Sequence, residues 1–155
     1  MTPSPLLILI SLVTALALTG CSEPKDTHPN QPVTKRKAVF KEILRTFEPL
    51  GQVVREREDY QPQAFLAGAK ELDRLASHPW QFFTPDSNYP PTRAKTEVWD
   101  KPQEFKQAQE QFQAKIASLA KVAESGKIEL IRPAFDEVEK SCKSCHQQFR
   151  GNGKK

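Results

Sequence analysis

The sequence predicts an all-α fold, an antiparallel four-helix bundle, on three observations. Four stretches place apolar residues three and four apart, the spacing of one helix face. No stretch alternates apolar and polar residues as a half-buried strand does. The last helical stripe also carries Cys142 and Cys145 among its core positions, so whatever those thiols hold enters the bundle. A chain of 155 residues suits one domain built around such a group.

Taken in order, residues 1–20 are apolar and uncharged, and the run from Leu6 to Leu18 is too short for a convincing membrane span. It reads as an export signal. Leu18-Thr19-Gly20-Cys21 resembles the bacterial lipobox, which implies a diacylglycerol on Cys21, although the leader lacks the usual Lys or Arg. The alternative is secretory cleavage near Ala17, leaving a soluble periplasmic protein. More than one acyl chain would anchor the product durably, and Ser22 after the cysteine points to the outer membrane by the lipoprotein sorting rule. Residues 21–32 then read as lipidated cysteine plus flexible tether: three prolines, mixed charge and no apolar cluster. Ser22 to Pro32 spans at most ~35 Å, and His28 within it is expected to be solvated.

The bundle proper is expected over residues 33–155. Phe40, Ile43, Leu44, Phe47, Leu50, Val53 and Val54 form the first stripe, with Pro49 expected to kink or end it. Phe65, Ala69, Leu72, Leu75 and Ala76 form the second, with Asp59 as expected N-cap and Pro79 as stop. Residues 78–98 hold Pro79, Pro85, Pro90 and Pro91 with Trp80, Phe82, Phe83 and Tyr89, a crossover whose aromatics should tuck against the helices. Asp100-Lys101-Pro102-Gln103 reads as a capped start to the third helix, which Gly126 closes. The last helix follows, with Pro133 kinking or setting its start.

Cys142, Cys145 and His146 form C-x-x-C-H, the attachment pattern for one covalent haem c. Both thiols fall on one helix face and can add to the two vinyl groups of one porphyrin, and His146 follows as proximal iron ligand. A redox dithiol or half of a zinc site is the alternative, but the first wants a βαβ setting and the second more ligands. Net charge is +4, with no basic run long enough for nucleic acid.

Four helices with this motif near the C-terminus resemble the class II cytochromes c, the cytochrome c′ and c-556 family. The resemblance is carried by Arg36-Lys37-Ala38-Val39-Phe40, Phe47-Glu48-Pro49-Leu50, Val98-Trp99-Asp100 with Phe105, and Cys142 through Phe149-Arg150. It implies that Arg36 lies near a haem propionate, Phe40 on the distal side of the iron, and Arg150 near the proximal ligand. Low-spin members place a methionine at the distal position. The only methionine here is Met1, lost with the signal, so the iron is expected to be five-coordinate.

An apolar, open distal side favours neutral diatomics. The expected function is binding of gases such as nitric oxide in the cell envelope, on the periplasmic side of the membrane. Electron transfer with a redox partner protein is the alternative, and a structural or sensory lipoprotein is a third reading. No nucleophile–base pair or acid–base dyad accompanies the motif, so an enzyme is not expected. The resemblance implies a homodimer through the first two helices, which the exposed faces leave open.

Overall fold

The computed structural model describes residues 25–151. The signal and the lipobox Cys21 lie outside the described residues. Four long helices pack as the bundle expected: α1 (Pro32–Val54), α2 (Pro62–Ala76), α4 (Pro102–Ala123) and α5 (Ile128–Phe149). A 3-10 turn (Trp80–Phe82) and a one-turn helix α3 (Glu97–Asp100) punctuate the crossover. The closest packing joins α4 to α5, α2 to α4 and α1 to α2, and α5 closes the ring more loosely on α1. No described helix is long and apolar enough to cross a membrane.

Each stripe is buried as its spacing dictates. Leu72, Ile116, Leu119, Ile131, Phe135 and Val138 are fully or almost fully enclosed. Phe47 of α1 stacks flat on Phe135 of α5 at 4.3 Å, tying the loosest pair of helices together. Arg132 adds to the same seam by donating to the carbonyl of Val54.

Several boundaries differ from expectation. α1 runs unbroken past Pro49, which occupies an exposed position and so ends nothing. α5 starts at Ile128 and absorbs Pro133 inside its second turn. Asp59 caps nothing, since Gln61 precedes α2. Asp100 closes the one-turn α3 instead of capping α4, which begins from Lys101 without a side-chain cap. Pro102 keeps its first-turn place. Gly126 adopts φ +65° beyond α4, a conformation that favours glycine, and makes the tight turn into α5.

The largest correction concerns the tether. From Asp26 onward it is folded against the domain. Asp26 is only 5% exposed, and its carboxylate accepts bonds from Thr34 N (2.8 Å) and Oγ1 (3.0 Å), Tyr89 Oη (2.9 Å) and His28 N (3.2 Å). Nor is His28 a freely solvated side chain. Its Nε2 lies 3.0 Å from Asp86 Oδ2 and its ring stacks on Tyr89 at 5.4 Å. Sequence patterns miss this because, His28 N apart, the partners lie eight to more than sixty residues away.

Candidate functional site

The site is built on the last two turns of α5. Helical spacing carries the core stripe from Phe135 and Val138 down to Cys142, Cys145 and Phe149. The two thiols face different parts of the interior. Cys142 packs against the main core, whereas Cys145 joins a second cluster with Val98, Phe105 and Phe149. Both are half-buried and unpaired. Burial, with Cys145 as a close neighbour, pushes the Cys142 thiol up to about 11, and burial raises Cys145 as well. A redox dithiol needs a stabilised thiolate, so both shifts run against that chemistry. Among the described residues no three His, Cys, Asp or Glu side chains gather as a metal-ion site, which leaves a zinc site without its other ligands there.

His146 is exposed as a whole residue. Protein crowding one side of its ring lowers its pKa, and the positive charges of Arg150 and Arg93 lower it further. All three effects favour the neutral imidazole, the form that binds iron. Arg93 was not legible as a site residue. It arrives because the end of the crossover is laced to the end of α5: Ala94 bridges Arg150, Gly151 N donates to Arg93 O (2.7 Å), and Lys95 N donates to Phe149 O (2.9 Å). Lys95 Nζ also reaches Gln147 O at 2.8 Å. Cations at a helix C-terminus complement its dipole, which explains why Arg93, Lys95 and Arg150 collect there.

An aromatic cleft of about 470 Å³ is walled by Trp80, Phe83, Val98, Trp99 and Phe105, and Val98 and Phe105 also belong to the cluster against which Cys145 packs. Phe40 meets two of those walls edge-on, Trp80 at 5.7 Å and Phe83 at 6.4 Å. The crossover aromatics, expected only to pack, therefore shape the site. Trp80 and Trp99 are pinned by indole bonds to Ala76 O (2.8 Å) and Thr84 O (2.9 Å). Two half-buried thiols a turn apart, an adjacent neutral imidazole and an apolar, flat-walled cleft fit the chemistry of a covalently held porphyrin.

Arg36, which the resemblance places near a haem propionate, is bonded to the crossover. It is 3% exposed, and its four terminal N–H groups go to Phe82 O (3.0 Å), Ser87 Oγ (2.8 Å), Ser87 O (3.0 Å) and Thr92 Oγ1 (2.6 Å). The guanidinium also lies over Phe83 at 4.6 Å. Those bonds commit it to the crossover, holding the aromatic wall in position. Cys142, Cys145, Phe40 and Arg36 thus converge on one end of the bundle, with His146 and Arg150 beside them.

The description "Cytochrome C′" belongs to the family model that matches residues 31–150. A cytochrome c′ of Alcaligenes xylosoxydans xylosoxydans is 30% identical over 122 residues, covering 79% of this chain and 94% of that protein. A cytochrome c′ of Halomonas halodenitrificans is 27% identical over 128 residues, 79% of this chain and 97% of its own. Among solved structures, a carbon monoxide-bound variant of cytochrome c′ from Alcaligenes xylosoxidans superposes with TM-score 0.76 at 29% identity, covering 83% of this chain and all of that one. A nitric oxide complex of another variant of that protein matches with the same TM-score, identity and coverage.

Proposed function

Because the chain belongs to the cytochrome c′ family, non-enzymatic proteins with one covalent haem c, we propose that it binds small diatomic gases, nitric oxide foremost, on the periplasmic side of a bacterial membrane. Cys142 and Cys145 would hold the porphyrin through thioethers, and the His146 imidazole would bind its iron. When bound, the haem would supply an iron able to take up a diatomic gas. Phe40, braced edge-on by Trp80 and Phe83, would cover the distal side and exclude water. Arg36 holds the crossover wall, and burial, aided by the charges of Arg150 and Arg93, favours the neutral form of the His146 imidazole. Cys21 carries lipid. The observation that carries the reading is the setting of Phe40: a side chain with no lone pair, held edge-on by Trp80 and Phe83 and packed against the same core cluster as Cys142, supports a distal side without a sixth protein ligand.

A second reading, electron transfer with an acidic partner protein, draws on the group of Arg93, Lys95 and Arg150 at the end of α5. One set of absorption spectra, oxidised and reduced, with and without nitric oxide, separates the two. A high-spin spectrum that shifts on adding nitric oxide is expected. A low-spin spectrum in the wild type would instead mean a sixth protein ligand and favour electron transfer. Cys142→Ala with Cys145→Ala should leave haem extractable by acidified organic solvent, whereas wild-type haem should stay with the chain.

A further inference from the structure

We propose that Asp26–Gln31 form a folded strap that keeps the haem-bearing end of the bundle turned toward the phospholipid headgroups. The inference rests on the reading of Cys21 as lipidated and goes beyond it: an anchor alone fixes a protein to a membrane but not its attitude.

The strap is fixed at both ends of its own sequence. Asp26 takes its four hydrogen bonds from α1, the crossover and the strap itself. Burial alone would raise its pKa, yet the bonds from Thr34, Tyr89 and His28 outweigh that and keep it ionised, at the N-terminus of α1 where a negative charge complements the dipole. His28 makes the second fastening. Its Nδ1 accepts from Asn30 N at 3.2 Å, which leaves the proton on Nε2 to be donated to Asp86. Gln31 N donates to His28 O at 3.0 Å and closes the loop onto α1.

The length of chain left over decides the consequence. Five residue steps separate Cys21 from Asp26, a reach of at most ~18 Å. A globule of this size has a radius of gyration of about 14 Å and is roughly 36 Å across. The leash is therefore shorter than the body it holds. Only the half of the domain centred on the strap can meet the membrane, and the opposite end of the bundle cannot. A tether free to Pro32 would be as long as the domain is wide and would allow any face to do so.

That face is polar. Lys25, Asn30, Lys35, Asp86 and Asn88 are exposed on the strap, the first turns of α1 and the adjoining crossover. It suits contact with headgroups and not insertion among acyl chains. It is also the end of the bundle that holds the site. Arg36 joins α1 to Thr92 of the crossover, and Ala94 joins the crossover to Arg150 at the end of α5. Phe40 lies eight residues along α1 from Pro32, a rise of about 12 Å. Neutral diatomics dissolve better in hydrocarbon than in water, so this arrangement brings the site-bearing end of the bundle nearer their richer reservoir.

The test uses the full-length, lipidated holoprotein on oriented bilayers of phosphatidylethanolamine and phosphatidylglycerol, with polarised absorption of the haem band as readout. Wild type should show clear linear dichroism. Asp26→Ala with His28→Ala, and separately a Gly-Ser insertion of about twelve residues after Lys25 that leaves the strap's partners untouched, should stay membrane-bound yet lose about half or more of that dichroism. Membrane-bound wild type without dichroism, or an insertion variant that keeps it in full, overturns the orientation while leaving the anchor standing. A wild type found wholly in the soluble fraction removes the anchor, and the orientation with it.

Discussion

At the residue scale, the proposed cover over the iron rests on Phe40. It is half-buried and held by edge contacts with Trp80 and Phe83, so uncovering the iron means displacing a packed ring. Phe40→Ala should speed carbon monoxide association by about tenfold or more, equal to about 1.4 kcal/mol off the barrier, and shift the ferric spectrum toward six-coordination as water enters. Flash-photolysis rebinding beside wild type checks this, and unchanged kinetics would assign the guarding role to another residue. Arg36 teaches the complementary lesson. Its number in the chain was legible as important, but its partners were not, because Phe82, Ser87 and Thr92 lie 46 to 56 residues away.

At the scale of elements, the seam between α1 and α5 depends on few contacts, and Phe135 is the largest of them. It is fully enclosed and stacks on Phe47. Phe135→Ala should cost about 3–5 kcal/mol of stability, read as a lower urea midpoint with an unchanged slope. A loss below about 1 kcal/mol would mean that the seam collapses readily to fill the space. Between α4 and α5 a surface ion pair supplements the hydrophobic packing. Glu137 accepts from Lys140 on its own helix (2.8 Å) and from Lys115 on α4 (3.0 Å), and these bonds hold its carboxyl at about 2. A depressed carboxyl pKa stabilises the fold above the ordinary value of 4.5 and ceases to do so as pH falls toward 2. Glu137→Gln should therefore lower the urea midpoint modestly at pH 6, since the group is exposed, and the gap to wild type should close as pH approaches 2.

For the whole molecule, the question is where it sits. Cys21→Ser should move the protein from the membrane to the soluble periplasmic fraction, or stall its processing, as fractionation with immunoblotting would show. Wild type recovered entirely as soluble protein, starting near Leu18, would instead support ordinary secretory cleavage. The outcome also bears on ligand supply, because a domain held at the bilayer samples gases from lipid as well as water.

By itself the sequence determined the fold class, the four helical stripes and the attachment motif. These follow from local periodicity and from the spacing of Cys142, Cys145 and His146, properties carried by neighbours within a turn or two. Tertiary structure alone decided the rest. It committed Arg36 to the crossover, brought Arg93 and Lys95 to the end of α5, turned packing aromatics into the walls of a cleft, and folded half of an apparent tether onto the domain. Each of these depends on hydrogen bonds or ring contacts between residues far apart in the chain. A polar, proline-rich stretch such as residues 22–32 looks unstructured in composition, yet one buried carboxylate, Asp26, finds four donors once the bundle exists to present them.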